Sequence, residues 1–154
     1  MPQNSLFFVF NEKWQILLCM KKRDFWVWKW NWAWWKTQEW ETVIKWAIRE
    51  LEEETWIKIE DEAKVFSHWI LHFIYKAKPH WNQDVHVFSI RWFTWNFIET
   101  EEMQPKWFNL EEIPYENMWE DDAIWLKHAI NWEVFEFEFI FWMNSKIESW
   151  KKFK

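Results

Sequence analysis

The hydrophobic positions between residues 41 and 54 follow a helical period. They recur at spacings of one, three and four, which gathers them on one face, and they are Val43, Ile44, Ala47, Ile48 and Leu51. Either Thr42 or Glu41 could cap the start of such a helix. The segment therefore predicts an amphipathic helix that packs on a core.

Other segments carry the short apolar patterns of β-strands. Residues 6–10 and 15–20 predict a β-hairpin or two successive strands. Strand-like patterns also cover residues 64–75, 84–93 and 133–141, the last with phenylalanine at alternate positions, while residues 121–130 are compatible with a helix. Because strands and helices mix without regular alternation, we predict an α/β (α+β) fold with helices packed on a mixed sheet.

Length and charge narrow the class of protein. The chain has 154 residues, with 19 Lys and Arg against 25 Asp and Glu, for a net charge of −6. This length predicts one domain over residues 1–154, and the acidic balance argues against a non-specific partner of nucleic acid polymers or membrane surfaces. A single cysteine, Cys19, excludes a disulfide framework. We expect a cytoplasmic monomer.

The composition has one abnormal feature, which is 20 tryptophans and no glycine. Turns commonly need the positive φ that glycine supplies and that a bulky side chain disfavours. We therefore hypothesise that many of the tryptophans occupy positions at which an ancestral chain had glycine.

Three glutamates on the predicted helix form the first candidate for chemistry. Glu50, Glu53 and Glu54 fall at i, i+3 and i+4, so that their carboxylates share one face. Such a cluster suits a hard divalent cation such as Mg²⁺, and Arg49 and Glu41 could orient the ligands. An exposed acidic helix face is the alternative interpretation of the same pattern.

The wider spacing resembles the Nudix box of the Nudix hydrolases. Residues 35–57 read Trp35-x5-Glu41-x7-Arg49-Glu50-Leu51-x-Glu53-Glu54-x-Trp56-Ile57. Every charged and aliphatic position agrees with the box, and the two glycines of the box are replaced by Trp35 and Trp56. The resemblance implies a Mg²⁺-dependent hydrolase, with Mn²⁺ as a possible substitute, that acts on a nucleoside diphosphate linked to another group.

The resemblance extends beyond the box, since most of the chain is similar to the oxidised purine nucleoside triphosphatases of the 8-oxo-dGTP type. It implies Glu102 as a further metal ligand and Lys21, Phe25 and Met103 as substrate-binding residues. Leu6 and Gln83 depart from the subfamily, which has Thr and Met at these base-pocket positions. Tryptophan stands at several positions where the subfamily has glycine, namely Trp26, Trp28, Trp32, Trp34, Trp35, Trp40, Trp46 and Trp56.

Two adjacent acids, Asp121 and Asp122, form the second candidate. When partly buried, such a pair can share a proton, so that one carboxyl donates a hydrogen bond and the other accepts one. In the context of the resemblance, this pattern suits an oxidised purine, with Trp119 stacked on the ring and Asn31 supplying an amide. Two acids capping the start of a helix are the alternative interpretation.

These expectations give a leading function and two alternatives. The leading one is hydrolysis of 8-oxo-dGTP, with 2-hydroxy-dATP as a possible second substrate, to the monophosphate and pyrophosphate. The first alternative is hydrolysis of another nucleotide. The second is a catalytically silent nucleotide-binding module, because Trp34, Trp35 and Trp56 occupy positions where the backbone must turn sharply or approach phosphate.

Overall fold

The fold is known from a computed structural model that describes residues 2–21, 30–31, 33–36, 42–95, 103–143 and 146–154. The two helices are α1 (Val43–Thr55) and α2 (Asp122–Ile130). The strands are β1 (Gln3–Val9), β2 (Ile16–Lys21), β3 (Trp30–Asn31), β4 (Ala33–Lys36), β5 (Ile57–Lys58), β6 (Phe66–Tyr75), β7 (Gln83–Ile90), β8 (Thr94–Trp95), β9 (Met103–Phe108), β10 (Phe135–Phe141) and β11 (Ile147–Lys152). No helix among these residues has the length and hydropathy to cross a membrane.

A six-stranded mixed sheet forms the centre of the fold, in the order β11-β10-β6-β7-β1-β4. The pairs β1–β7 and β10–β6 are parallel, and the other pairs are antiparallel. A smaller sheet has the order β3-β2-β9, and β5 pairs with β8. The predicted mixed sheet with packed helices is therefore confirmed.

The central sheet buries both of its faces, and strand β1 shows how. Leu6 and Phe8 point to one face, where they join a core with Trp125 of α2. Phe7 and Val9 point to the other face, where α1 covers them with the apolar side that contains Leu51. Successive side chains of β1 therefore face α2 and α1 in turn, which explains why its second half, residues 6–9, is apolar on both faces.

Most predicted elements are present with shifted ends. The helical pattern of residues 41–54 corresponds to α1, and the phenylalanine alternation of residues 133–141 corresponds to β10, where Phe135, Phe137 and Phe139 are fully buried. Of the two interpretations for residues 6–20, the hairpin is wrong. β1 and β2 belong to different sheets and share only the isolated bridge between Phe10 and Ile16.

Both ends of α1 have capping groups. The Thr42 hydroxyl accepts a hydrogen bond from the Lys45 backbone N–H at 3.4 Å, which confirms Thr42 as the N-cap. At the other end Trp56 adopts the left-handed conformation, with φ 64°, and its N–H donates to the Glu52 carbonyl at 2.8 Å. This is the C-terminal turn that glycine normally provides.

Positive φ values in the described chain all belong to tryptophan. The four residues are Trp14, Trp56, Trp69 and Trp132. Trp14 and Trp132 lie in turns, and the register of the β6–β7 pair shifts between Ser67 and Trp69. Because a left-handed conformation strains any bulky side chain, this coincidence supports the hypothesis that tryptophan replaces glycine at these positions.

Candidate active site

The acidic face of α1 is organised around Arg49. Its Nη1 atom donates to Glu50 Oε1 at 3.2 Å and to Glu53 Oε1 at 3.1 Å. The guanidinium therefore ties together carboxylates from consecutive turns, in the orienting role that we predicted for Arg49. One turn of helix brings these groups together because residues at i and i+4 share a face.

Glu50 is the most enclosed of the acids in this cluster. Its side chain is 16% exposed, against 56% for Glu53. Burial raises the pKa of Glu50, and the negative charges of Glu53 and Glu54 raise it further, while Arg49 opposes the shift. The electrostatic coupling shows that three carboxylates lie close enough to repel one another, so that a cation near them would be stabilising.

The donor set fits Mg²⁺ that keeps part of its water shell. Among the described residues, no three His, Cys, Asp or Glu side chains form a group that could hold a metal ion. The fit therefore rests on donor chemistry alone, because Mg²⁺ prefers oxygen ligands and keeps several of its waters. Glu50, Glu53 and Glu54 supply oxygen donors of the kind that Mg²⁺ prefers.

The second predicted acidic pair lies at the start of α2. Asp121 and Asp122 are 7% and 4% exposed. Asp121 Oδ2 accepts a hydrogen bond from the Trp125 indole N–H at 2.8 Å, and Asp122 Oδ2 accepts one from the Trp119 backbone N–H at 3.0 Å. Helix geometry produces the first contact, because Trp125 lies one turn after Asp121, and the second comes from the turn that precedes α2 and contains Trp119.

Burial changes the acidity of this pair. Desolvation raises the pKa of Asp121 to about 6, and the Trp125 hydrogen bond only partly opposes that shift. Asp122 is close enough that its charge contributes to raising the pKa of Tyr115. A carboxyl that titrates near neutral pH can donate or accept a hydrogen bond, as we predicted for this pair.

Sequence reasoning missed a buried polar group in β1, which is the side chain of Asn4. Asn4 of β1 is 2% exposed, and its Nδ2 donates to Gln83 Oε1. In the neighbouring strand β6, burial and the charge of Asp121 raise the pKa of Tyr75 to about 12. The available signal was a polar residue two positions before Leu6, on the same face of the strand as that buried side chain.

The remaining predicted residues are described in part or not at all. Lys21 and Met103 are register partners across β2 and β9, and Asn31 of β3 pairs with Cys19 of β2. The small sheet therefore brings three predicted substrate-binding positions together. Phe25, Glu41 and Glu102 lie outside the described residues.

Solved structures identify the fold. The chain is similar to the MutT protein of Bacillus halodurans, with a TM-score of 0.84 at 17% identity over 99% of this chain and 98% of that one. It is also similar to a NUDIX hydrolase from Nitrosomonas europaea, with a TM-score of 0.67 at 17% identity over 92% of this chain and 78% of that one. The chain therefore has the fold of the MutT and NUDIX hydrolase structures.

Curated relatives identify the family within that class. The chain is 37% identical over 111 residues to the oxidized purine nucleoside triphosphate hydrolase of Mus musculus, a match that covers 72% of this chain and 69% of the relative. The chain is also 36% identical over 111 residues to the oxidized purine nucleoside triphosphate hydrolase of Danio rerio, a match that again covers 72% of this chain and 69% of the relative. No protein-family model matches the chain. The chain belongs to the oxidized purine nucleoside triphosphate hydrolase family, and it is an enzyme of the Nudix type.

Proposed function

We propose that this protein hydrolyses oxidised purine nucleoside triphosphates, 8-oxo-dGTP in particular, to the monophosphate and pyrophosphate in a Mg²⁺-dependent reaction. The carboxylate cluster of α1 carries the proposal. Arg49 holds two carboxylates of one helix face, and the charges of Glu53 and Glu54 raise the pKa of the enclosed Glu50. The names of the curated relatives support the substrate class.

Glu50, Glu53 and Glu54 would hold the metal ion, with Glu102 as a further ligand by resemblance. Mg²⁺ held there would supply positive charge against the phosphates, and Mn²⁺ would accept the same oxygen donors. Arg49 keeps two of the carboxylates in place. A carboxylate of the same cluster accepts the proton that the attacking water loses.

Recognition of the base is assigned to the other end of the site. The buried pair Asp121 and Asp122 would read the mixed donor and acceptor edge of the oxidised purine, and moving the shared proton would admit 2-hydroxy-dATP. Trp119 would stack on the ring, and Asn31, Phe25 and Met103 would complete the pocket. Lys21 would contribute positive charge near the phosphates.

The turn at Trp56, which ends α1 and the Nudix box, favours an active enzyme over a silent nucleotide-binding module. Trp56 takes the left-handed conformation and caps α1 in spite of its side chain. The bend that follows the three glutamates is therefore present, although its usual glycine is not.

We further propose that the protein acts as a cytoplasmic monomer on free nucleotides. Its net charge of −6 disfavours binding to a nucleic acid polymer or to an acidic membrane surface.

Pyrophosphate release tests the proposed function directly. The purified protein is mixed with 8-oxo-dGTP or dGTP, each with Mg²⁺ and with excess chelator. We expect release from 8-oxo-dGTP that requires the metal and exceeds release from dGTP. Equal release from both substrates would favour the general nucleotide hydrolase, and binding without release by folded protein would favour the silent module.

A further inference from the structure

His72 has a carboxylate partner at each of its ring nitrogens. Its Nδ1 lies 2.6 Å from Asp84 Oδ1, and its Nε2 lies 3.0 Å from Glu136 Oε1. Asp84 belongs to β7 and Glu136 to β10, which are the strands on either side of β6 in the central sheet. One imidazole ring therefore links three consecutive strands.

These two contacts determine the protonation state of the ring. An ionised carboxylate only accepts hydrogen bonds, and a neutral imidazole has one N–H and one bare nitrogen. Both contacts can be hydrogen bonds at the same time only when both nitrogens carry a proton, which makes His72 an imidazolium. Burial lowers the pKa of His72, but the hydrogen bonds and charges of Asp84 and Glu136 outweigh burial, so that this pKa is raised.

Gln3 extends this network to β1. Its Nε2 donates to Asp84 Oδ2 at 3.2 Å, and its Oε1 lies 2.6 Å from His86 Nε2. Because the amide oxygen can only accept, His86 carries a proton on Nε2. Burial lowers the pKa of His86, the charge of Asp84 opposes that shift, and the positive charge of His72 adds to it. The two histidines are therefore suited to different charge states, His72 positive and His86 neutral.

The network lies where apolar packing on this face of the sheet ends. On the face that α1 covers, Phe7 and Phe88 belong to the core. Gln3 and Asp84 are register partners near the starts of the same two strands, and they lie on that face too. The side chains of His72 and its two carboxylate partners are 19–26% exposed, so that water screens their charges less than at an open surface.

Charged and titratable groups on this face come from several elements around the ring. On the strands they are Asp84 and His86 of β7, Glu136 and Glu138 of β10, and Lys151 of β11. The turn between β6 and β7 adds His80, which contacts the Trp81 ring. Glu138 is the register partner of His72, but it lies opposite Lys151, and among the described residues no hydrogen bond joins it to His72. The two bonded carboxylates therefore dominate the surroundings of the ring.

Loss of the ring proton leaves two carboxylates and a single N–H between them. One carboxylate then faces the lone pair of the bare nitrogen, which repels it. Asp84 is held at its second oxygen by Gln3 and makes the shorter contact with the ring. The remaining proton is therefore expected on Nδ1, and Glu136 is the partner that turns to water.

We propose that His72 is a proton-dependent clamp of the central sheet, whose imidazolium binds β7 and β10 to β6 and whose deprotonation releases Glu136. Because folding raises the pKa of His72, the stability that the clamp contributes is complete below the unfolded value of 6.5 and is lost as the pH rises through the folded pKa. The inference is independent of the proposed function.

Nitrogen NMR of the histidine rings in the unmodified protein tests the charge state directly, because proton–nitrogen correlation spectra distinguish the imidazolium from the two neutral tautomers. Signals are assigned by their loss in His72→Gln and His86→Gln. At pH 6.5, where an ordinary histidine is half protonated, we expect His72 to be mostly imidazolium and His86 to be neutral with its proton on Nε2. A His72 ring that is half or more neutral at this pH would overturn the proposal.

Urea unfolding between pH 6 and pH 9 tests the clamp itself. In Glu136→Gln the amide can accept from a protonated Nε2 or donate to a bare one, so the contact no longer requires the imidazolium. Over this range we expect the unfolding equilibrium constant of the unmodified protein to rise about tenfold relative to that of Glu136→Gln, the effect of one hydrogen bond to a charged group. Glu138→Gln is the matched control, since it removes the same charge from the same face of β10, and it should keep the pH dependence of the unmodified protein.

Two results of the urea experiment would overturn the proposal. One is the same pH dependence in Glu136→Gln as in the unmodified protein. The other is an equal loss of pH dependence in Glu138→Gln, because general repulsion between acids on the sheet would then be the cause. Circular dichroism confirms folding at each pH, and the NMR measurement on the unmodified protein decides should Glu136→Gln fail to fold. None of these measurements uses a nucleotide, so failure of the clamp leaves the proposed function standing.

Discussion

The two acidic regions of this protein carry the same functional group in opposite environments. On α1, Arg49 spans Glu50 and Glu53 at a surface where Glu53 is 56% exposed. At the start of α2, Asp121 and Asp122 are almost fully buried, and their hydrogen bonds come from a neutral indole and a neutral backbone amide. Burial raises a carboxyl pKa in both regions, but on α1 the charge of Arg49 opposes the shift of Glu50, whereas no cation opposes that of Asp121.

The difference shows that the surroundings, rather than the acid itself, decide the chemistry. A positively charged neighbour and access to water keep a carboxylate ionised. Burial without a cation raises its pKa, as it does for Asp121. One chain can in this way prepare a site for phosphates and a site for a neutral base at opposite ends of the same substrate.

The largest expected effect comes from breaking the charged region. Replacing Glu54 by glutamine should lower turnover of 8-oxo-dGTP by roughly 10²- to 10⁴-fold without unfolding the protein, because it removes a proposed metal ligand. Steady-state kinetics and thermal unfolding measure the two quantities. Glu52→Gln is the matched control, since Glu52 lies on the same helix but pairs with Lys58 at 3.7 Å. Unchanged turnover in Glu54→Gln would refute the assigned role.

A smaller effect should appear when the charge of the buried region is removed. The pKa of Asp121 is raised to about 6, so the stability that its neutral form contributes is complete below the unfolded value of 3.8 and is lost as the pH rises through 6. Asp121→Asn is neutral at every pH and still accepts from Trp125. The free energy of unfolding of this variant is compared with that of the original protein at each pH. We expect the difference to shift in favour of the variant by about 2 kcal/mol from pH 4 to pH 7. Urea titrations at both pH values measure this gain, and a difference that does not vary with pH would contradict the raised pKa.

The smallest expected effect concerns the turn that ends the charged helix. Trp56→Gly should stabilise the protein by about 1 kcal/mol, because it removes left-handed strain of a bulky side chain but increases the freedom of the unfolded chain. Chemical denaturation measures the change. Trp142→Gly is the control, since Trp142 is 53% exposed without a positive φ, and it should bring no gain. Equal stabilisation by both changes would show that the removal of an exposed indole, and not the relief of backbone strain, stabilises the protein.

The sequence predicted the charged region better than the buried one. Residues at i, i+3 and i+4 share a helix face whatever the rest of the chain does, so the Arg49 and glutamate cluster follows from local spacing alone. Asn4 and Gln83 of the buried region are 79 residues apart and meet only because β1 and β7 are neighbours in the sheet. Strand order is a long-range property that no local pattern contains.

Strand pairing also explains the error at the start of the fold. Two apolar runs separated by a short polar segment are typical of a hairpin. Here β1 pairs in parallel with β7 while β2 pairs with β9, so the competing partners come from much later in the chain. The alternation in β10 was predictable because its phenylalanines face a single core.

The outermost strand of the central sheet, β11, leaves one edge of the sheet open. β11 ends the sheet, pairs only with β10 among the described strands, and exposes nearly all of its side chains. An open strand edge is a template on which a second molecule can add, and Lys151 and Lys152 place positive charge along it. Although Glu148 lies on the same strand, like charges at Lys151 and Lys152 of two such edges would repel each other and so disfavour edge-to-edge pairing.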